Sequence, residues 1–227
     1  MRPVKEQRQS YQKLLRKNIE LSGAQESFFA EYKAIKLTQW FPQLLTTPHT
    51  ILDFGCGDGI MTSFVQALCP QATIYGIDAS LEHIEVAQMA YENITFIHSD
   101  APKIPFADSS FDLIYAADIF HHLPKNQHES YCAEIYRILK PNGTFVMLEL
   151  NPLNLMTAYR FMQNPMEKDA SMLWPWYTKK LLHTEYAAVS LQFYGFFPNK
   201  LKRLEFLEAY MGKLPFGSLY ICKGYKN

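Results

Sequence analysis

A short glycine-rich segment flanked by carboxylates holds the residue types best suited to ligand binding. Its sequence is Asp53-Phe-Gly55-Cys-Gly57-Asp-Gly59, and it follows an apolar run typical of a buried strand. Glycines at such a point let the backbone turn sharply and approach a ligand closely. A dinucleotide-binding loop has its third glycine at the position that Ile60 occupies here. The segment therefore departs from the dinucleotide pattern.

The carboxylates of Asp53 and Asp58 restrict the ligand further. A phosphate charge about 4 Å from either carboxylate is repelled by roughly 1 kcal/mol in water and about 4 kcal/mol at an effective dielectric of 20. We therefore expect a ligand that has no phosphate and can carry positive charge. S-adenosylmethionine has a sulfonium, an ammonium, a ribose and an adenine, and it meets this description. A nicotinamide-dependent dehydrogenase is excluded by Ile60 and the two acids.

Two further acids follow apolar runs and are candidates for ligand binding. Asp78 lies 21 residues beyond Gly57, and a carboxylate there can accept two hydrogen bonds from a ribose diol. The alternative is a helix N-cap, a position that suits both Asp78 and Ser80. Asp100 follows the next apolar run, and its alternative role is to cap the loop before Pro102.

Alternating strand and helix patterns surround these residues. Strands are predicted over 50–54, 72–77, 94–98, 111–116, 144–150, 188–194 and 218–224. Helices are predicted over 61–68, 81–90, 131–139 and 200–211, and a helix stop over 140–143. This order predicts an α/β fold with a doubly wound, mostly parallel, seven-stranded sheet and helices on both faces. In such sheets the ligand lies at the carboxyl ends of the strands.

The remaining segments predict additions to one domain covering residues 1–227. Residues 4–40 have helical spacing interrupted at Ser22-Gly23, which predicts an N-terminal helical cap over 1–49. Residues 50–150 form the predicted cofactor-binding core. Residues 151–185 are rich in proline and aromatic residues and predict an inserted lid, and residues 186–227 supply the final strands and helix.

Five sequence blocks give the core a family resemblance. They are Leu52–Gly59, Gly76–Ser80, Ser99–Ala101, Phe111–Ala117 with His121–Leu123, and Leu139–Gly143. In this order and at this spacing the chain resembles a class I S-adenosylmethionine-dependent methyltransferase of the small-molecule type, similar to the ubiquinone/menaquinone-type core. The resemblance covers residues 50–150. It implies a Rossmann-like methyltransferase fold and S-adenosylmethionine as cofactor, with S-adenosylhomocysteine as product.

The resemblance also implies roles for individual residues. Asp53 orients the loop and the methionine moiety, Asp78 binds the ribose, and Asp100 with Ala101 contacts the adenine. The implied cofactor-binding set is Asp53, Gly55, Cys56, Gly57, Asp78, Ala79, Asp100, Ala101, Ala117 and Asp118. Cys56 is expected to contribute only its backbone, because nothing near it in the sequence activates a thiol.

Methyl transfer needs a base only if the acceptor must lose a proton. His122 follows the fourth predicted strand, and a histidine is a plausible general base. The alternative is that the histidines only pack and cap the strand. Glu149, which ends the fifth strand, is the second candidate catalytic residue, with a structural and a substrate-positioning role both open. No metal is predicted, because the adjacent His121 and His122 do not share one face of a regular element.

The acceptor is a small molecule with a predicted apolar character. Methionine and aromatic residues of 151–197 suit an adaptable apolar pocket, although packing of the lid and last strands is expected for most of them. Basic residues near both ends make peripheral contact with a membrane or a lipid-linked substrate a further hypothesis. Asn151-Pro-Leu-Asn154 resembles the motif of DNA amino-methyltransferases, but it follows strand five instead of strand four, so nucleic acid is not predicted.

Composition excludes several other classes. The 227 residues have 22 basic and 22 acidic side chains, and residues 50–122 alone have one basic and ten acidic ones. Such an acidic middle third is not a phosphate-binding surface. The four cysteines show no metal or redox spacing, which together with the absence of a signal-peptide pattern predicts a cytoplasmic protein. The alternative function is a catalytically silent, cofactor-binding partner protein. The sequence does not predict the oligomeric state.

Overall fold

The computed structural model describes residues 26–45, 47–100, 103–197, 203–204 and 206–227. The chain forms two compact units, residues 1–101 and residues 102–227. The predicted helix before Ser22-Gly23 lies outside the described residues. The first unit contains helices α1 (Glu26–Trp40), α2 (Ile60–Leu68) and α3 (Leu81–Ala90), and strands β1 (Thr50–Phe54), β2 (Thr73–Asp78) and β3 (Thr95–His98).

The strands of the first unit are parallel, in the order β3-β2-β1. Asp53 is in register with Gly76, and Asp78 with His98, so the three carboxyl ends lie at one edge. β1 is buried over four of its five residues, which fits its apolar sequence. Helix α1 packs against α2. This arrangement places the turns after the strands side by side, as parallel connections require.

The second unit begins with β4 (Phe111–Ala117) and contains the longest strand, β5 (Leu139–Leu150). Its other elements are α4 (His128–Ile138), α5 (Leu155–Gln163), α6 (Pro175–Leu182), β6 (Ala188–Tyr194), α7 (Glu208–Met211) and β7 (Leu219–Tyr225). Short 3₁₀ helices cover Phe120–His122, Lys125–Gln127 and Pro165–Glu167. Its core is aromatic, and the largest buried side chains are Tyr115, Tyr186, Tyr220, Phe111, Phe120 and Phe145.

In the second unit β4 and β5 are parallel, and β7 is antiparallel to both β5 and β6. The strand order of the seven-stranded sheet is β3-β2-β1-β4-β5-β7-β6. The predicted α/β class with a mostly parallel seven-stranded sheet is therefore confirmed. β7 runs antiparallel to both of its neighbours, and 24 residues that include α7 separate it from β6 in the sequence.

The boundary predicted at residues 140–143 was wrong. Residues 140–143 were expected to stop a helix before a strand from Thr144, but they belong to β5, with a register shift against β4. Asn142 has a φ of 65°, which lets the backbone absorb this irregularity. The helix predicted over 200–211 is described only as Glu208–Met211. Among the described residues, no helix is both long and apolar enough to cross a membrane.

Candidate active site

The loop after β1 follows a path that only glycine adopts easily. Gly55, Gly57 and Gly59 have φ values of 79°, 54° and 78°. A side chain in this left-handed region costs roughly 1–2 kcal/mol. The backbone N–H groups of Gly55 and Cys56 both donate to the carbonyl of Ile77, at 2.8 and 3.0 Å. The loop is therefore fixed to the end of β2.

Asp78 accepts hydrogen bonds from the backbone on both sides. Its Oδ2 accepts the N–H of Gly57 at 2.8 Å, and its Oδ1 accepts the N–H of Ser80 at 2.8 Å. The N-cap of α3 is Ser80, whose hydroxyl accepts the N–H of His83. A carboxylate offers about four acceptor positions. The two backbone hydrogen bonds therefore leave acceptor positions on Asp78 for a ribose diol. Ser80, and not Asp78, is the N-cap of α3.

Asp53 is buried beneath the same loop. Its Oδ2 accepts a hydrogen bond from the hydroxyl of Thr62 at 2.7 Å, and both side chains are almost fully buried. Thr62 lies in the first turn of α2, so this bond joins the end of β1 to the helix that follows the loop. The carboxylate therefore fixes the two ends of the glycine loop relative to each other.

Cys56 is unsuited to nucleophilic chemistry. Burial raises the pKa of its thiol far above the ordinary value, and the nearby charges of Asp53 and Asp78 raise it further. The thiol therefore stays protonated at neutral pH. Its backbone N–H holds the loop, which fits the expectation that it contributes only backbone.

The ring of Phe96 on β3 lies beside Gly59 of the loop and Gly76 of β2. The sequence did not indicate this role. A Cβ added at Gly76 would lie 2.5 Å from the Phe96 ring, and one added at Gly59 would lie 2.7 Å from it. The ring belongs to a buried cluster with Cys56, Ile84, Ala87 and Ile94. Both glycines are therefore needed for packing, and Gly59 is needed for the turn as well.

The remaining predicted residues of the first unit are placed less specifically. The carbonyl of Ala79 lies 3.0 Å from Nε2 of His98. Asp100 is exposed at the end of the β3 segment, and Ala101 lies outside the described residues. The adenine contact of these two residues stays a prediction.

In the second unit, the chain turns sharply after β4. Ala117 ends the strand, and Asp118 has a φ of 53°, an uncommon conformation that aspartate tolerates. The N–H of Asp118 donates to the carbonyl of Leu148 at 2.9 Å. The turn leads into the 3₁₀ helix that carries both histidines.

His121 lies buried between two glutamates. Its Nδ1 is 2.6 Å from Oε2 of Glu149, and its Nε2 is 3.1 Å from Oε2 of Glu167. Burial lowers the pKa of this imidazole, but the two carboxylates outweigh burial and raise the pKa to about 9. The other oxygen of Glu149 accepts the N–H of Phe120 at 3.0 Å. Glu149 is 1% exposed, so its carboxylate acts on His121 and the backbone.

His122 differs from its neighbour in exposure and charge. Its side chain is 39% exposed, and its Nε2 lies 3.4 Å from Oε2 of Glu167. Partial burial and the positive charge of His121 lower the pKa of His122. The ring centroids of the two histidines are 4.3 Å apart. The expectation that the adjacent histidines do not share one face was wrong here, because a 3₁₀ turn brings both to Oε2 of Glu167.

Glu167 is the functional candidate that the sequence did not indicate. It lies on a 3₁₀ helix 45 residues beyond His122, and no motif surrounds it. The segment is held against the histidine turn by a bond from the N–H of Ser171 to the carbonyl of His121, at 3.0 Å. The predicted lid therefore supplies an acid to the turn after β4.

The Asn-Pro-Leu-Asn segment has a structural role. The side-chain amide of Asn151 is buried and donates to the carbonyls of Pro215 and Gly217. Asn154 caps α5 and donates to the carbonyl of Phe216. Both amides thus hold the start of the predicted lid to the segment before β7.

The predicted lid exposes more apolar surface than expected. Helix α5 has no buried residue, and the exposed fractions are 85% for Leu155 and 72% for Met162. Trp174 and Trp176 are also exposed and stack with centroids 4.9 Å apart. The large hydrophobic residues of 151–197 that are buried are Leu173, Leu181, Leu182, Tyr186, Phe193 and Tyr194.

The strand order and the glycine loop define a Rossmann-like fold of the methyltransferase type. Residues 51–143 match the family described as "Methyltransferase domain". The resemblance of residues 51–143 to class I S-adenosylmethionine-dependent methyltransferases is thereby confirmed.

Individual relatives agree with this assignment. A demethylmenaquinone methyltransferase of Thermotoga maritima is 33% identical over 111 residues, which are 49% of this chain and 48% of that protein. A phthiotriol/phenolphthiotriol dimycocerosates methyltransferase of Mycobacterium tuberculosis is 28% identical over 111 residues, 48% of this chain and 40% of that protein. The chain thus spans about half the length of the curated relatives it matches, or less.

A solved structure extends the fold similarity over most of the chain. The crystal structure of an S-adenosylmethionine-dependent methyltransferase from Archaeoglobus fulgidus matches with a TM-score of 0.67 and 17% identity. The match covers 87% of this chain and 94% of that one. At this identity the similarity concerns the fold.

Proposed function

We propose that this chain transfers a methyl group from S-adenosylmethionine to a small, apolar acceptor. The observation that carries the proposal is the Asp78 carboxylate, which accepts the N–H of Gly57 at 2.8 Å at the end of β2. This bond joins a ribose-type acid to a glycine loop whose surrounding carboxylates disfavour phosphate. The acidic loop also suits a ligand with a sulfonium and an ammonium.

The cofactor-binding residues of the proposal are those on the loops after the strands. Asp53, Gly55, Cys56 and Gly57 shape the loop after β1, Asp78 and Ala79 follow β2, and Asp100, Ala101, Ala117 and Asp118 complete the set. When bound, S-adenosylmethionine supplies a methyl group already activated by the sulfonium. The residues of the chain then need only to bind and orient the reactants for in-line displacement.

On the acceptor side, His122 is the proposed proton acceptor. Its imidazole is partly exposed after β4, with Nε2 3.4 Å from Oε2 of Glu167. Glu149 does not share this position, because its two oxygens are occupied by His121 and the backbone of Phe120. We therefore assign Glu149 as a positioning residue that holds the histidine turn.

The exposed apolar residues of α5 and the stacked tryptophans support an apolar acceptor. The relatives from Thermotoga maritima and Mycobacterium tuberculosis are named for demethylmenaquinone and for dimycocerosates. These names also support an apolar acceptor. A lipid-linked acceptor, presented at a membrane surface, belongs to this proposal.

The proposal is tested first by ligand stabilisation. S-adenosylmethionine, S-adenosylhomocysteine, NAD, NADP and ATP are each added in large excess, and the melting temperature is recorded. A ligand at 100 times its dissociation constant adds about 2.7 kcal/mol of stability. We expect stabilisation by the two adenosyl ligands alone. Stabilisation by NAD, NADP or ATP instead, or by no ligand, would contradict the cofactor assignment.

With binding established, acceptors are screened with radiolabelled S-adenosylmethionine and organic extraction. Apolar phenols, alcohols and carboxylates, free and lipid-linked, form one arm, and water-soluble amines form the other. Label in the apolar arm is the expected result. Transfer confined to the amines would overturn the acceptor class while leaving the cofactor assignment intact.

A further inference from the structure

Three ligand atoms converge at the histidine turn. Nε2 of His121 lies 3.1 Å from Oε2 of Glu167, and Nε2 of His122 lies 3.4 Å from the same oxygen. Ligand atoms of all three residues lie within 4.8 Å of one another. Two imidazoles and one carboxylate are a donor set typical of zinc and related divalent transition metals.

The separations agree with a coordination polyhedron. With metal–ligand bonds of about 2.0–2.1 Å, the edges of a tetrahedral zinc site are about 3.3 Å long. The distances from Glu167 to the two histidines, 3.1 and 3.4 Å, lie on either side of this value. The third separation, between the ligand nitrogens of the two histidines, is within 4.8 Å, so the rings would move towards each other by up to about 1.5 Å to complete a regular site.

The surroundings of His121 fit the same role. A metal-bound histidine typically gives its other ring N–H to a carboxylate, which fixes the tautomer and the ring orientation. Glu149 occupies this position, with Oε2 2.6 Å from Nδ1 of His121. Glu149 and Glu167 together carry two negative charges, which balance a divalent cation.

The third ligand is fixed by the backbone and remains accessible. The N–H of Glu167 donates to the carbonyl of Asn164 at 3.0 Å, and Ser171 binds the carbonyl of His121. Glu167 also lines an open cleft of about 390 Å³ between Phe161 and Ala170. An ion can thus reach the carboxylate from solvent.

We propose that His121, His122 and Glu167 bind a divalent transition-metal cation, with Zn²⁺ as the representative ion and Glu149 supporting His121. Three protein ligands leave a fourth position open, which is typical of catalytic zinc sites. On the basis of the proposed function, an acceptor oxygen at that position would lose its proton more easily. The cation occupies Nε2 of His122, so this assignment and the proton-acceptor role of His122 are alternative modes of activating one acceptor.

Metal binding is tested without cofactor or acceptor, so its outcome is independent of the proposed function. The full chain is stripped with a chelator, exchanged into chelator-free buffer and titrated with Zn²⁺ by calorimetry, and with Co²⁺ by visible absorption. We expect one equivalent of each ion to bind, with d–d bands of low-symmetry Co²⁺. His122→Ala and Glu167→Gln should each weaken Zn²⁺ binding at least about tenfold, which is the smaller effect typical of losing even an outer-sphere partner.

His183→Ala is the matched control, because His183 is an exposed histidine of the same unit. It should bind Zn²⁺ as tightly as the parent chain. Circular dichroism shows whether each variant is folded. If His122→Ala does not fold, the Zn²⁺ affinity of Glu167→Gln alone tests the site. Absence of Zn²⁺ and Co²⁺ binding in the parent, or parental affinity in both ligand variants, would overturn the site.

Discussion

Nδ1 of His121 and Oε2 of Glu149 lie 2.6 Å apart, and both side chains are almost fully buried. The pair joins the turn after β4 to the end of β5. Its second carboxylate partner, Glu167, comes from the predicted lid. A single buried imidazole thus connects three segments that are distant in sequence.

Glu149→Gln should destabilise the chain by about 3–5 kcal/mol, because removing one member of a buried ion pair leaves the other uncompensated. Urea unfolding followed by circular dichroism measures this change. Glu129→Gln, at an exposed position of α4, is the matched control and should stay within about 0.5 kcal/mol of the parent. Parental stability of Glu149→Gln would mean that the pair is not structural.

Asp78→Ala should reduce the affinity for S-adenosylmethionine by about tenfold to a hundredfold, because hydrogen bonds to a charged group contribute roughly 1.5–3 kcal/mol. The fold should persist, and isothermal titration calorimetry measures the affinity. Glu92→Ala removes an exposed acid of the same unit and should bind normally. Unchanged affinity in Asp78→Ala would contradict the ribose assignment.

Gly76→Ala should destabilise the chain by about 1–3 kcal/mol through overpacking. The new Cβ would lie 2.5 Å from the Phe96 ring and 2.9 Å from the Cys56 sulfur. Gly57→Ala is the informative comparison, because no atom lies within 4 Å of its Cβ and only its φ of 54° is unfavourable.

Phe96→Leu should partly restore the stability of Gly76→Ala, since a smaller side chain leaves room for the methyl group. Thermal unfolding of the two single variants and the double variant gives the coupling energy. Additive losses would show that the ring is not what limits this position.

His122→Ala should lower kcat by about a hundredfold, the lower range for loss of a general acid or base, and leave the S-adenosylmethionine affinity unchanged. The same loss follows if His122 holds a cation, and repeating the assay in chelator separates the two cases. A kcat for His122→Ala equal to that of the parent would remove this residue from the mechanism.

Stability in acid should depend on Glu134. The guanidinium of Arg137 bonds to Glu134 at 2.8 Å and lowers the pKa of its carboxyl below 4.5, although partial burial acts in the opposite direction. Because the folded pKa is lower than the unfolded one, this stabilisation is present above pH 4.5 and is lost as the pH falls through the folded pKa.

Glu134→Gln should therefore lower stability by about 1 kcal/mol at neutral pH and flatten the loss below pH 4.5. Urea unfolding across this range measures both effects. Glu129→Gln again serves as the exposed control. An unchanged acid dependence in Glu134→Gln would assign the loss to other groups.

The sequence predicted those helices and strands whose bounds are specified by their own residues. Strand β1, helix α3 and strand β6 have the predicted bounds, because apolar runs and a serine cap leave little choice of structure. The glycine loop was also predictable, since its residue types specify a sharp turn independently of their neighbours.

Boundaries depending on strand pairing were less predictable. Lys140–Gly143 reads locally as a helix stop, yet Leu139 and Thr144 pair with β4 on either side of it, so the segment lies within β5. The exposure of α5 was likewise not predictable, because an apolar helix sequence fits a packed lid equally well.

The sequence by itself determined the α/β fold, the family resemblance and the acids Asp53 and Asp78, because each follows from a local pattern. Only the tertiary structure decided that Phe96 fills the space beside two glycines and that Glu167 meets both histidines. These relations join residues that no spacing connects: Glu167 lies 46 residues from His121. The Phe96 contacts arise from close packing of distant segments. Glu167 meets the histidines because a buried polar group such as His121 must find a partner.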